Sequence, residues 1–421
     1  MLALLRSNRD LRSLFISQVI SLAGDWFAYV AFVGIVQDVS DSPILVTLVY
    51  VAQALPAFLV SPIAGPVVDR FDRRNIIRVV SVVQALAAAG LLLVDSLGSL
   101  WFGFLCLCVI SALGSFVSPA AQAGLPSLTD GEQQLAKASL LFGSLWGAML
   151  AVGAALGGLV ASTFGRDVAF IANAASFVAA AAFVSLIRRP MQAARTEHPE
   201  GTKRPPMRPI ADMGEAFSYA RKDHTVLSLL AAKSTFAMGA GIVGLLALLA
   251  TDELGGGDGM TGILLAARGV GVAAGPIIAA RLLGPSLSRL VYMCGAAGFV
   301  FGVCYLAMSV SPTIWLAAPL ALVAHLGGGA QWTLSTYGLQ RVVPDHVLGR
   351  ILAGDFAIVT LIITLSNLAA GGLAGATNVR VAIAVFAFLG LVSGVAYVIL
   401  TRGVRARLAA AEPATAAPAA P

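Results

Sequence analysis

Ala64-Gly-Pro-Val-Val-Asp-Arg-Phe-Asp-Arg-Arg-Asn75 concentrates two carboxylates and three guanidinium groups in twelve residues. The chain around it is 58% hydrophobic and only 11% charged. Such a run marks a boundary, ending one long apolar stretch and beginning another. Over 421 residues the mean hydropathy is +0.88, too high for a water-soluble domain, whose surface must stay largely polar. The fold class that follows is an all-α integral membrane protein.

A membrane-crossing helix needs roughly 20 apolar residues. On that scale the sequence predicts twelve spans: 12–37, 44–68, 75–95, 98–122, 138–163, 168–187, 226–250, 260–280, 289–309, 312–337, 351–373 and 380–401. The first follows Arg6, Arg9 and Arg12 and carries Asp25 in its middle, so it is too long and too polar at its centre for a cleaved leader. An even number of spans puts both termini on one side. That side carries 23 of the 27 Lys and Arg, including Arg70, Arg73 and Arg74 of the opening run and Arg78 just after it. Arg166 and Arg380 fall in the opposite loops, and Lys233 and Arg268 lie within spans. The positive-inside rule then places both termini in the cytoplasm, with the chain a multi-pass protein of the plasma (inner) membrane. The net charge of +6 is accounted for by topology, and no nucleic-acid partner is expected.

Between Arg188 and Asp223 the sequence is rich in proline and charge and poor in aliphatics, which predicts a flexible linker dividing the spans six and six. Ile210, Met213, Phe217 and Ala220 fall at helical spacing and predict a short amphipathic helix on the cytoplasmic face. The expected domains are an N-terminal six-helix bundle (1–190), the linker (191–224), a C-terminal six-helix bundle (225–408) and a disordered low-complexity tail (409–421). The halves echo each other. Ala64-Gly-Pro-Val-Val-Asp-Arg-Phe matches Ala274-Gly-Pro-Ile-Ile-Ala-Ala-Arg at an offset of 210 residues, and Leu125-Pro126 stands beside Val343-Pro344. Asp69 and Arg70 become Ala279 and Ala280, so the charges are kept in one half.

The spacing Gly65-x-x-x-Asp69-Arg70-x-x-Arg73-Arg74 resembles motif A of the major facilitator superfamily, with Asp72 where a glycine is commoner. More closely, the chain resembles the superfamily's drug, macrolide and enterobactin-type siderophore exporters. The matching residues are Gly24-Asp25-Trp26-Phe27, Ser118-Pro119 to Leu125-Pro126, Gly153-Ala-Ala-Leu-Gly157-Gly158, and Gln340-Arg-Val-Val-Pro344-Asp345 to Gly349-Arg350. Ala154 replaces the proline usual before the glycine pair of the fifth span. The resemblance implies two six-helix bundles with a substrate site between them. It also implies a gate at the cytoplasmic end: Gly65 lets helices approach, and Asp69 accepts from the N-terminus of span 11. Asp355 on span 11 is expected to pair with Arg70 or Arg73, latching the outward-open state. The competing reading has the arginines only anchoring a loop to the anionic leaflet.

An ionisable group at mid-membrane costs at least about 2.5–3.5 kcal/mol, so each needs a reason. Asp25 reads either as a proton or cation site or as a fixed partner in a helix pair. Arg268 reads as a partner for Asp25, a contact for an anionic substrate group, or a snorkelling side chain; Lys233 reads as snorkelling. His325, Gln331 and Trp332 share a face of span 10, another helix that the resemblance places along the cavity. Cys106, Cys108, Cys294 and Cys304 fall within spans as small hydrophobes, so neither disulfide nor metal is expected. His198, His224, His325 and His346 are scattered, and no nucleotide-binding loop occurs, so no enzyme is expected. The expectation is a monomeric, proton-coupled exporter of small amphipathic compounds, with membrane lipids as surroundings and the proton gradient in place of any cofactor. A lipid or lysolipid transporter of the same fold and a membrane-embedded transferase are the alternatives.

Overall fold

The computed structural model describes residues 2–192, 218–283 and 286–411. Ile210, Met213 and Phe217 of the expected amphipathic helix lie outside the described residues, as do most of the linker and residues 412–421 of the tail. Ala220 is described and buried.

Among the described residues twelve helices are long and apolar enough to cross a membrane. They are α1 (Arg9–Val39), α2 (Pro43–Arg70), α3 (Arg73–Gly90), α4 (Leu100–Leu128), α5 (Glu132–Phe164) and α6 (Arg166–Ser185) in the first half. The second half has α7 (His224–Gly239, continued by Gly241–Leu248 and a π turn at Leu249–Glu253), α8 (Asp258–Leu283), α9 (Leu287–Ser309), α10 (Ile314–Val342), α11 (Asp345–Ala376) and α12 (Val379–Leu400). Their starts are set by short polar side chains. Asn8 accepts from the Leu11 N–H at 2.9 Å, Asp72 from Asn75 at 2.8 Å and Asn378 from Val381 at 2.9 Å. The departure from the motif at Asp72 therefore has a local cause: it caps α3. Leu86, Trp101, Phe164, Trp315 and Leu400 project into the surroundings from the helices' outer faces, as lipid-facing side chains do.

The two halves repeat one packing scheme. Within the first, α1 packs on α6, α2 on α4, and α3 on both α4 and α6. Within the second, α7 packs on α12, α8 on α10, and α9 on both α10 and α12. The halves meet through α5 on α8 and, by the same relation, α11 on α2. The echo read from the sequence is thus a structural repeat.

The α5–α8 crossing is a contact of small residues. A methyl at Gly158 would lie 2.9 Å from the Gly262 Cα, one at Gly269 would strike the Ala151 backbone, and one at Gly147 would lie 3.3 Å from the Ala273 Cβ. The steps are equal and opposite, 158 to 151 to 147 against 262 to 269 to 273, as an antiparallel pair in register requires. Gly153 and Gly157 turn instead toward α1, where a methyl would meet Ala23, Trp26 and Phe27. The glycine-rich stretch of the fifth span thus lets α5 lie against α1 and α8 at once.

We call the end where the linker and the α2–α3 turn lie the linker face and the opposite end the far face. At the far face Pro43 and Thr47 of α2 pack against Gly375 and Gly371 of α11. Farther along the same pair, the Phe58 and Phe356 rings are 6.1 Å apart. Nearer the linker face, a methyl at Gly65, Gly143 or Gly354 would meet nothing within 4 Å among the described residues. Among the described residues, therefore, the halves are closed at the far face and parted at the linker face.

The turn in α7 at Ala240 frees backbone groups that a membrane interior cannot hydrate. Helix α11 supplies their partners. Ser366 Oγ accepts from Gly241 N–H at 2.9 Å and donates to the Met238 carbonyl at 2.8 Å, while Asn367 Oδ1 accepts from Gly244 N–H at 3.1 Å.

Candidate functional site

The two arginines of the far-face loops occupy equivalent places in the repeat. Arg166 opens α6 and pairs with Asp38 at the end of α1; Arg380 near the start of α12 donates to Glu253 at the end of α7 at 2.6 Å. Each clamps the last helix of its half to the first. They then diverge. Arg380 also donates to the Ser309 and Ser311 carbonyls of its own half, at 3.0 and 2.9 Å. Arg166 reaches across to Asp258 of α8, Nε to Oδ2 at 2.7 Å. A methyl at Gly34 would collide with both Arg166 and Asp258, so the glycine makes room for the pair. Nearby, Gln37 donates to Thr251 Oγ1 at 2.7 Å, again joining the halves.

A second ion pair lies in the interior of the C-terminal half. Lys233 of α7 pairs with Asp355 of α11, donates to Thr336 Oγ1 of α10 at 2.8 Å and stands 5.0 Å from the Trp332 ring centroid. Lys233 and Asp355 are 4% and 3% exposed, and Asp355 Oδ1 has no partner. This corrects the reading of Lys233 as snorkelling: a carboxylate and a hydroxyl on neighbouring helices satisfy it in place. In this conformation Asp355 pairs with Lys233, and the contact with Arg70 or Arg73 expected of the outward-open latch is absent among the described residues.

The opening run divides its work. Arg73 donates to the Ala123 and Met191 carbonyls at 2.7 and 3.0 Å, and Arg74 to the Ile187 carbonyl at 2.9 Å. Arg73 therefore ties α3 to α4 and to the end of the first half, and Arg74 ties α3 to that same end. Arg70 is exposed, Gly65 faces open space, and the Asp69 side chain lies outside the described residues. At this face Asp10 is buried and accepts from the Arg188 and Arg189 N–H groups at 3.1 and 3.0 Å.

The mid-span candidates do not form one cluster. Among the described residues Asp25 forms no ion pair, so it is not the partner of Arg268, and its Oδ1 is buried with no hydrogen bond. The residues beside it are fixed by packing: Gly24 abuts Asn173 and Ser176 of α6, and Trp26 makes an edge contact with Trp146 of α5. His325 is enclosed by Phe236, Phe301 and Tyr305, with Nε2 and the Tyr305 hydroxyl 2.9 Å apart. Gln331 donates to the Ala232 carbonyl and to Thr235 Oγ1, which holds α10 to α7. What is corrected is the expectation that this face of α10 lines the cavity. Neither His325 nor Gln331 lines a space between the halves, whereas half-buried Trp332 has its ring against Phe356 at 6.4 Å. Sequence reasoning did not assign the cross-half pair of Arg166 and Asp258 or the Lys233–Asp355 pair. Its available signal was opposite charges in or beside spans that the repeat makes neighbours.

A family model described as transmembrane secretion effector matches residues 2–419. The chain is 25% identical over 363 residues to the uncharacterized MFS-type transporter YkuC of Bacillus subtilis (strain 168), covering 82% of this chain and 80% of that one. To YfiS of the same organism, also an uncharacterized MFS-type transporter, it is 28% identical over 187 residues, 44% of each chain. In structure it is similar to a bacterial homologue of the human lysosomal transporter Spinster in an inward-facing, unoccupied conformation. The TM-score is 0.69 at 16% identity, over 94% of this chain and 96% of that one. It is also similar to a POT family transporter in complex with 5-aminolevulinic acid, with a TM-score of 0.73 at 9% identity over 94% and 97% of the two chains. At these identities the structural likeness speaks for the fold alone.

Two outcomes follow from the ion pairs. Arg166→Gln removes the bridge to Asp258 and should loosen far-face closure. A charge-assisted bond at a partly exposed site is worth about 1.5 kcal/mol, or roughly tenfold in population. With the native cysteines replaced, a cysteine at Thr47, which is fully buried in this conformation, should react faster with an impermeant thiol reagent; an unchanged rate would assign Arg166 to its own half alone. Lys233→Met leaves Asp355 buried and unpaired, and Asp355→Leu leaves Lys233 so; each alone should destabilise by about 3–5 kcal/mol, whereas the two together should recover most of that. Thermal melting of the four proteins in detergent reads the difference, and additive losses would refute the pairing.

Proposed function

Because the chain belongs to the transmembrane secretion effector family of major facilitator transporters, we propose that it is a proton-coupled exporter of small amphipathic compounds, a drug or siderophore-like metabolite, working by alternating access. With the arginine-rich linker face in the cytoplasm, the conformation described above is the inward-open one. The observation that carries the coupling is Asp25, a carboxylate midway along α1 with a buried oxygen that no side chain or backbone group satisfies. An ionised carboxylate in that position is costly, and a bound proton removes the charge. Such a group can alternate between holding a proton and facing a cation as the halves rock.

The resemblance to exporters supports the direction, and the relatives' character as transporters leaves the transferase alternative without support. Lipid or lysolipid movement keeps one observation in its favour: an open groove of about 730 Å³ beside α8, α9 and α10, lined by Pro276, Leu290, Trp332, Thr336 and Tyr337. The linker-face motif is the natural counterpart of the far-face closure. Gly65, Asp69 and Arg70 await α11 in the conformation where the far face opens, and Asp355 would have to leave Lys233 to join them.

In liposomes, uptake of a fluorescent amphipathic dye should respond to an imposed pH gradient in the wild type and lose that response in Asp25→Asn. Uptake indifferent to the gradient in the wild type removes proton coupling, and a dye left behind while a fluorescent lysolipid moves favours the lipid reading. Asp69→Asn should preserve insertion but lower transport about tenfold or more, the ratio expected for a lost charge-assisted bond. It should also expose a cysteine placed at Gln340, near the linker-face end of α10; unchanged transport and unchanged labelling would leave these charges as loop anchors.

A further inference from the structure

Arg268 stands on α8, in the stretch that crosses α5, and its guanidinium reaches the other half of the molecule. It is 4% exposed. Nη2 donates to the Tyr50 hydroxyl of α2 at 3.3 Å, and the guanidinium carbon lies 5.7 Å from the Tyr50 ring centroid and 5.9 Å from that of Trp146 on α5. Nε and Nη1 are buried with no hydrogen-bond partner.

Three other buried charges have partners, whereas Asp25 shares with Arg268 a buried polar atom that lacks one. Lys233 has Asp355, Asp258 has Arg166, and Asp10 has two backbone N–H groups. Arg268 has no carboxylate in ion-pair range among the described residues, and Asp25 does not supply one. One long hydrogen bond and two ring faces do not replace water around a guanidinium; a ring face contributes about 0.5–2 kcal/mol, whereas the planar fork is built to take an oxyanion through two donors at once. Trp146, which flanks the guanidinium, is 48% exposed, so the two free donors lie one side chain from accessible space.

We propose that Arg268 is the anchor for a carboxylate or phosphate group of the transported compound, whose apolar, ring-bearing body lies against Tyr50 and Trp146. This rests on the reading of the chain as a transporter of amphipathic compounds and narrows that class to anionic ones. The site joins the two halves: the anchor belongs to the C-terminal one and the rings to the N-terminal one. An occupant there therefore touches both moving parts at once, which is what alternating access requires of a substrate.

The test is equilibrium binding by calorimetry to the full chain in detergent at one pH, so that a failure of proton coupling cannot affect it. The probes are 2-naphthoate, its uncharged analogue 2-naphthamide, and lysophosphatidate. The wild type should bind at least one of the two anions about tenfold or more tightly than the amide, the ratio expected for a charge-assisted contact. Arg268→Gln should erase that preference by weakening the anion and leaving the amide unchanged, and Arg268→Lys, which keeps the charge but loses the fork, should fall between. Preference for naphthoate identifies a soluble anion as the source of the group, and preference for lysophosphatidate identifies a lipid headgroup. If the wild type binds neither anion better than the amide, the proposal is overturned without recourse to any variant. It is equally overturned if Arg268→Gln, eluting as a monodisperse species, binds the preferred anion as the wild type does.

Discussion

The close crossing of α5 and α8 is the constraint on which the rest of the molecule depends. Two membrane helices can touch along their backbones only where side chains are nearly absent, and here Gly158, Gly262 and Gly269 leave that space. With the backbones in contact, Asp258 at the start of α8 comes within reach of Arg166, and Arg268 farther along the same helix comes against Trp146 of α5. Larger residues at these positions would hold the halves apart and separate both pairs. The far-face bridge from Arg166 to Asp258 and the setting of the central arginine are therefore consequences of one packing surface. Its glycines and alanines carry no chemistry of their own.

Charge placement follows from the surroundings. In hydrocarbon a charged side chain must find a partner within the protein or reach the surface, and most of those here do one or the other. Lys233 and Asp355 neutralise each other between α7 and α11, and the arginines of the opening run lend their donors to backbone carbonyls at the linker face. Asp25 and Arg268 stand apart from this pattern. Each is held within a span, and each leaves polar atoms buried without partners. A transporter has a use for such groups, because a proton or a substrate can complete them in one state and leave them in another.

The repeat organises the molecule while the function breaks its symmetry. Arg166 and Arg380 perform the same clamp in each half, yet Arg166 alone of the two bridges the halves. The Gly-Pro echo near the ends of α2 and α8 keeps the small residues in both copies but the charges at positions 69 and 70 in one. Two bundles that were fully equivalent would have no reason to favour one end for opening. Under the alternating-access proposal, unequal charges at the two ends would let the molecule hold each conformation by a different set of bonds.

Composition and period were enough to read a membrane protein of twelve helices in two halves, because each span must satisfy its own backbone and so announces itself as an apolar run of fixed length. The repeat was legible for the same reason, and the motif after span 2 pointed to the superfamily. The partners of the charges were not legible. Whether Asp355 meets Arg70 or Lys233, and whether Arg268 meets Asp25 or the rings of Tyr50 and Trp146, depends on how helices far apart in sequence rotate and cross. Periodicity placed His325 and Trp332 on one face of α10 but could not say that Tyr305 encloses the first while Phe356 abuts the second. A helix settles which residues share its face by local geometry alone; what that face meets is decided by packing between helices, and only the tertiary structure contains it.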